Sequence, residues 1–126
     1  MTTRFLDPLD VRDLGDGENW MLLHEMRYVT AEGEMIYVPA GFVTDFASVP
    51  WFFRRLFPPA TGKYRRAAAL HDWIYREKTV MISREKGDLI FLEAMTVDGT
   101  NYAARTSLYQ AVDKFGGSSY VDRIAA

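Results

Sequence analysis

The spacing of hydrophobic residues changes once along the chain, near residue 48, and this change constrains the fold most strongly. Before it, apolar and polar residues alternate, as they do on a strand with one buried face. After it, apolar residues recur three and four positions apart, as they do on one face of a helix. We therefore predict an α+β fold, in which an antiparallel meander of three or four strands precedes three or four helices that pack on it.

Turn-forming residues divide the first part of the chain, about residues 4–46, into short segments. Residues 5–14, 20–29 and 35–38 carry the strand pattern, and a Pro-Ala-Gly interruption at residues 39–41 precedes Phe42 and Val43. Within residues 20–29, alternation places His24 on the same face as apolar side chains. We therefore expect His24 at the core or at its boundary.

The second part, about residues 48–117, contains four helical patterns. Ser48 resembles an N-cap and predicts a short helix. Its aromatic and basic segment WFFRRLFPP either packs against the sheet or forms an interfacial or phosphate-facing patch. Longer helices are predicted over residues 63–76, from an N-cap at Ser83 to Met95, and after an Asp-Gly-Thr-Asn break. The last helix carries an apolar stripe formed by Ala104, Leu108, Val112 and Phe115.

Composition limits the classes of protein that the chain can belong to. It has 126 residues, of which 48% are hydrophobic, and this is enough for one core, so we expect a single domain over residues 1–126. A formal net charge of -2 gives no global attraction to nucleic acid or to an anionic membrane. The absence of cysteine excludes disulfides, thiolate metal ligands and a cysteine nucleophile.

The N-terminal segment MTTRFLDPLDVRDL has acids and a proline where a signal peptide requires an apolar run. No window approaches the ~20 apolar residues of a membrane-spanning helix. We therefore expect neither a signal peptide nor a transmembrane segment.

The chain contains one His-Asp dipeptide, His71-Asp72, in the middle of a predicted helix. The next predicted helix carries Asp88 on its otherwise apolar face. A buried carboxylate is unfavourable without a partner, and the short connection favours antiparallel packing of the two helices. We therefore expect Asp88 to accept a hydrogen bond from one imidazole nitrogen of His71.

The expected pair of His71 and Asp88 has two interpretations. In a catalytic dyad, the second imidazole nitrogen opens into a pocket and acts as a general base. In a structural pair, the same contact joins two helices, and protein groups cap both nitrogens. In the catalytic interpretation, Ser48 and Tyr75 are the candidates for substrate binding.

Asp45 and Asp72 are the candidates for a divalent metal site, with the hydroxyl oxygen of either Thr44 or Ser48 as a further ligand. Oxygen ligands suit Ca²⁺ or Mg²⁺, and these ions are the only cofactors that the pattern suggests. Alternatively, Asp45 organises a turn and Ser48 caps a helix.

Three segments in order, VPAGFVTDFASVP, YRRAAALHDWIYR and SREKGDLIFLEAM, resemble an uncharacterised family of small phage and prophage proteins, a domain of unknown function. The resemblance covers about residues 38–95. It implies a phage origin and a place in the cytoplasm of the infected bacterium or in the virion. It implies no particular activity, so the partner is either an unidentified substrate or a phage or host protein.

The segment LHDWIY is also similar to the His-Asp-x-x-Tyr core of the secreted phospholipase A-two superfamily. That similarity implies that His71 activates water, that Asp72 helps to hold calcium, and that Asp88 supports the histidine. Tyr75 takes the position of the tyrosine.

Two functional hypotheses follow from these patterns. The first is a phage-encoded, hydrolase-like protein that depends on the His/Asp pair, with or without a divalent cation. The second is a non-enzymatic virion protein of the tail or baseplate, or a host-interaction protein, in which the His/Asp cluster is structural.

Overall fold

The structure, a computed structural model, describes residues 4–45 and 63–121. Its contacts divide the chain into two compact units, Met1–Asp45 and Phe46–Ala126. Within the described residues, the first unit contains strands and the second contains helices. The predicted α+β class is therefore confirmed, whereas a single domain over residues 1–126 stays a prediction.

Short antiparallel strands form two sheets in the first unit. One sheet has the order β1-β2-β5 and the other pairs β3 with β4. The described strands are β1 (Val11–Asp13), β2 (Trp20–Leu22), β3 (Met26–Val29), β4 (Met35–Val38) and β5 (Val43–Thr44). The arrangement differs from a simple meander because β5 returns to pair with β2.

The predicted strand over residues 20–29 is wrong, because it is divided into β2 and β3, which belong to different sheets. His24 lies in the bend between them, and its side chain is 75% exposed. The prediction of a core or boundary histidine is therefore also wrong. The bend does not interrupt the alternation of apolar and polar residues in the sequence, because the buried Leu22 and Met26 on either side of it are separated by an even number of positions.

The core of the first unit is formed by the inward residues of its strands. In β4, Ile36 and Val38 are buried, whereas Met35 and Tyr37 are exposed, as period-two alternation requires. The buried residues of this unit with apolar side chains are Phe5, Leu22, Met26, Tyr28, Ile36 and Val38.

The described part of the second unit contains α1 (Arg65–Arg76), α2 (Arg84–Val97) and α3 (Tyr102–Phe115), followed by a 3₁₀ helix over Gly116–Ser119. α2 packs against both α1 and α3. These three helices confirm the predictions for the described residues. The short helix that was predicted from Ser48, with its segment WFFRRLFPP, lies outside the described residues.

Side-chain caps fix where α2 and α3 begin. The backbone N–H of Lys86 donates to Ser83 Oγ at 3.2 Å, and the N–H of Ala104 donates to Asn101 Oδ1 at 2.8 Å. Such bonds satisfy N–H groups that have no partner inside the helix. The first residues of α2 and α3 are thus determined by local sequence.

The predicted apolar stripe of α3 is correct for Ala104, Leu108 and Val112, which are buried. It is wrong for Phe115, which is 54% exposed. The helix ends at this residue, and the chain turns into the 3₁₀ helix instead of continuing the stripe. Within the described ranges, no helix has the length and apolarity needed to cross a bilayer.

Candidate functional site

The face of α1 around His71 allows α2 to approach closely. Ala67 and Ala68 lie one turn before His71, and both are fully buried. On α2, a Cβ atom at Gly87 would lie 3.0 Å from Cγ2 of Ile74. Small residues on both helices therefore leave room for α1 and α2 to pack closely.

The hydrogen bond expected between His71 and Asp88 is present. His71 Nε2 lies 2.8 Å from Asp88 Oδ1, and both side chains are fully buried. The bond joins α1 to α2 across 17 positions of sequence. The catalytic role of the two residues stays a prediction.

Tyr75 belongs to the same cluster. Its hydroxyl donates to Oδ1 of Asp88, the oxygen that His71 also contacts. Its ring centroid lies 4.1 Å from that of His71, one turn away on α1. Sequence reasoning assigned Tyr75 to substrate binding, but its hydroxyl is directed at the carboxylate.

Burial sets the protonation of these groups. Desolvation lowers the pKa of His71, and the hydrogen bond to Asp88 opposes that effect in part. Burial and then the hydrogen bond to Asp88 raise the pKa of Tyr75. At neutral pH the imidazole is therefore uncharged, and the Tyr75 hydroxyl keeps its proton.

Nδ1, the second imidazole nitrogen of His71, fits neither the catalytic nor the structural interpretation in full. His71 Nδ1 is buried, so it does not open to solvent as a catalytic site was expected to do. Within the described part of the chain it also has no hydrogen-bond partner, so it is not capped as a structural pair was expected to be. A buried polar atom without a partner typically costs about 1–3 kcal/mol, and a catalytic role is one explanation for such an atom.

Arg84 is a member of this cluster that sequence reasoning missed. It precedes Asp88 by one turn of α2, and its guanidinium lies against Gly117, next to the glycine that lies against the Tyr75 ring. Its Nη2 also donates to the backbone oxygens of Val112 at 2.9 Å and Asp113 at 2.5 Å. The only signal in the sequence was the i, i+4 spacing from Asp88.

The two carboxylates proposed as metal ligands, Asp45 and Asp72, are both among the described residues, one in each unit. Asp72 is buried in α1, and its Oδ2 accepts a hydrogen bond from Arg76 Nη1 at 3.1 Å. Asp45 follows β5 in the first unit, and Ser48 lies outside the described residues. In the described ranges, no three His, Asp or Glu side chains cluster as a metal ion requires. A carboxylate next to a guanidinium fits a divalent cation poorly, and the metal roles stay predictions.

A comparison with protein families finds one match. The profile described as "Protein of unknown function (DUF1353)" matches residues 20–112. The chain belongs to this family. No protein among the curated proteins and no solved structure matches the chain. The matched range contains His71, Tyr75, Arg84 and Asp88, but the description of the family assigns no activity to them.

Proposed function

We propose that the protein is a hydrolase in which His71 Nδ1 acts as the general base. One observation carries this proposal: Asp88 Oδ1 contacts His71 Nε2 and accepts from the Tyr75 hydroxyl, while Nδ1 has no hydrogen-bond partner within the described residues. Asp88 orients the imidazole, and Tyr75 orients Asp88. A base needs an uncharged nitrogen without a competing donor, and burial provides the uncharged form.

The reaction follows from this arrangement. Nδ1 takes a proton from a water molecule while the water oxygen forms a bond to the acyl carbon of an ester. The bond from that carbon to the leaving oxygen then breaks, and the imidazolium returns the proton to the leaving oxygen. The negative charge of Asp88 stabilises the imidazolium that forms between these steps. A positioned general base accelerates such a reaction by ~100-fold to 10,000-fold.

The similarity of LHDWIY to the phospholipase A-two core supports an ester as the substrate. In that comparison His71, Tyr75 and Asp88 take matching positions, and their hydrogen bonds agree with the implied roles. The role implied for Asp72 as a calcium ligand has no such support, because its carboxylate contacts Arg76. We further propose a phage or prophage origin, with action in the infected bacterium or in the virion.

A second candidate function is a non-enzymatic virion or host-interaction protein in which the cluster is structural. The full burial of His71 favours it, since a general base must be reached by water and substrate. In this case the cluster joins α1 to α2, and binding is carried by other surfaces.

Two measurements on the purified chain separate these functions. The first is hydrolysis of a panel of carboxylic esters and phospholipid vesicles, with and without Ca²⁺ or Mg²⁺. The second is thermal melting of His71→Asn, with His24→Asn as the control at the exposed histidine. The hydrolase proposal expects a folded His71→Asn variant whose activity falls at least ~100-fold. An inactive wild type together with a collapsed His71→Asn variant would assign the cluster to structure.

A further inference from the structure

A cavity of about 240 Å³ lies where the beginning of α1 meets the end of α2. The described residues that line it are Lys63, Arg65, Arg66 and Asp98, all in the second unit. Three cations and one carboxylate give this lining a net charge of +2. The cavity is distinct from the His71 cluster, because Arg65 precedes His71 by six positions, or about 9 Å along the helix axis.

The carboxylate in the lining is already compensated. Arg66 donates from Nε to Asp98 Oδ2 at 3.0 Å and from Nη2 to Asp98 Oδ1, so both carboxylate oxygens are bonded to one guanidinium. The Asp98 side chain is only 8% exposed, and bidentate pairs of this kind are among the strong hydrogen bonds. The pair joins α1 to α2, and Asp98 does not compensate the charges of Lys63 and Arg65.

Lys63 and Arg65 have no carboxylate partner of their own. Within residues 4–45 and 63–121, no aspartate or glutamate forms an ion pair with either of them. The preceding segment, residues 46–62, lies outside the described residues, and its sequence contains two arginines and no acidic residue. That segment therefore supplies no carboxylate for the two cations.

Arg65 also brings a buried donor to the cavity. Its Nε is buried, and in the described part of the chain it has no hydrogen-bond acceptor. A buried donor without an acceptor is unfavourable, and a bound ion is one explanation for such an atom. Lys63 is exposed, and its stem passes the end of α2, where a Cβ atom at Gly99 would lie 3.9 Å from Lys63 Cδ.

Helix stability does not explain the cations. α1 begins at Arg65, and its first turn contains two arginines and no acidic residue. Positive charge is unfavourable at this end of a helix, because the helix dipole is positive there. The lining therefore carries a local electrostatic cost that an anionic ligand would offset.

We propose that this cavity binds the phosphate group of a small soluble molecule. A phosphate monoester carries a charge of about −1.5 to −2 at neutral pH, which matches the two uncompensated cations. Its oxygens accept hydrogen bonds from Arg65 and Lys63, whereas Arg66 stays paired with Asp98. The cavity is smaller than the ~300–1,000 Å³ of pockets that hold drug-sized ligands, so it suits a small phosphate compound and not a large cofactor.

Titration with inorganic phosphate at neutral pH, followed by ¹⁵N NMR of the backbone amides, tests the proposal. Sodium chloride at equal ionic strength is the reference, because phosphate also acts on proteins as a general salt. We expect saturable shifts with phosphate alone at the amides of residues 63–66 and 98–100. Shifts that do not saturate, or that are equal in chloride, would overturn the proposal.

Two variants identify the cations that bind. Arg65→Gln and Lys63→Gln should each weaken phosphate binding at least about tenfold, since each removes a hydrogen bond between charged groups. Lys78→Gln changes an exposed lysine beyond the other end of α1 and should bind phosphate like the wild type. An unchanged dissociation constant in either folded cavity variant, or an equal loss in Lys78→Gln, would contradict the proposal.

Melting without phosphate separates binding from a structural role. Arg65→Gln removes an uncompensated cation from the beginning of α1 and should melt at or above the wild-type temperature. A structural role for Arg65 predicts a lower melting temperature, and that result would count against the proposal. Lys63→Gln, at an exposed side chain, carries the binding test if Arg65→Gln does not fold.

The source of the phosphate group is tested with glycerol phosphate and with vesicles of phosphatidic acid. Binding of glycerol phosphate that is weakened in both cavity variants would support a small soluble ligand. Binding to the vesicles alone would overturn that class, because the phosphate would then belong to a lipid head group. These outcomes are separate from the proposed hydrolase function, since none of them depends on His71 or on the cleavage of an ester.

Discussion

The two histidines of this protein each lie next to an aspartate, but in opposite surroundings. His24 Nε2 is 3.3 Å from Asp10 Oδ2, and the two side chains are 75% and 50% exposed. His71 Nε2 is 2.8 Å from Asp88 Oδ1, and both side chains are fully buried. Water screens the first pair, so its contribution to stability is small. The second pair has no such screening, and each of its members depends on the other.

The comparison indicates that the contribution of a His–Asp pair to stability depends on its surroundings and not on the two residue types alone. We expect the same two residue types to contribute little to stability in the bend between strands and much more between the two helices. The following variants test this difference, in order of decreasing expected effect.

The largest effect is expected for His71→Ala. This change removes the partner of a buried carboxylate and should reduce the free energy of unfolding by about 3–5 kcal/mol. His24→Ala is the matched control and should change it by no more than about 0.5 kcal/mol. Urea unfolding of both variants measures the difference. Equal losses at the two positions would show that burial does not distinguish the pairs.

A smaller effect is expected for Gly87→Val, which inserts side-chain atoms at a tight contact between α2 and α1. The nearest atom, Ile74 Cγ2, would already be 3.0 Å from a Cβ there. Overpacking of this kind typically costs about 1–3 kcal/mol. Glu85→Val places the same β-branched residue at an exposed position of α2 and serves as the control. If the two variants unfold at the same urea concentration, the close approach of the helices is not required.

The pH dependence of stability should come from the buried histidine. The folded-state pKa of His71 is lowered by desolvation, so between that value and the unfolded value of about 6.5 the unfolded chain binds more protons. Its contribution to stability is therefore complete above pH ~6.5 and is lost as the pH falls, by at most about 1.4 kcal/mol for each pH unit.

Melting curves between pH 7 and 5 measure this loss for the wild type and for single histidine variants. The loss should persist in His24→Asn and disappear in His71→Asn. If the loss of stability at low pH instead disappears in His24→Asn, the pH dependence comes from the exposed pair.

The smallest effect is expected for Tyr120→Phe, at a contact of intermediate burial. The Tyr120 hydroxyl donates to the backbone oxygen of Ile82 at 2.6 Å. Removing this bond should cost about 1 kcal/mol, between the effects of the buried and the exposed histidine. Tyr102→Phe, at a side chain that is 71% exposed, is the control and should melt like the wild type. If Tyr120→Phe lowered the free energy of unfolding as much as His71→Ala does, the expected order of the effects would be wrong.

Much of the helical unit could be predicted because its signals are local. The side chain of Ser83 caps the first turn of α2, and serine is a common residue at this position. Asp88 is an acidic residue on an otherwise apolar helix face, so it was expected to need a hydrogen-bond donor. A histidine on the preceding helix was the evident donor, so the contact between His71 and Asp88 followed from residues 17 positions apart.

The features that could not be predicted from the sequence are of two kinds. Some depend on packing between residues far apart in the chain, and others do not change the spacing of apolar residues. Arg84 reaches carbonyls 28 and 29 positions away, and only the packing of α2 on α3 brings them together. The bend around His24 was hidden because the buried residues on either side stay in phase. The full burial of His71 likewise depends on neighbours that alternation and helical spacing do not identify.

The single oxygen that His71 and Tyr75 share also determines how α1 and α2 align along their axes. Faces built from alanine, such as Ala67 and Ala68, are smooth and by themselves permit one helix to slide along the other. A slide by one turn would move Asp88 about 5.4 Å, beyond the reach of both donors at once. The carboxylate therefore specifies one axial alignment of the helix pair among several that apolar packing alone would accept.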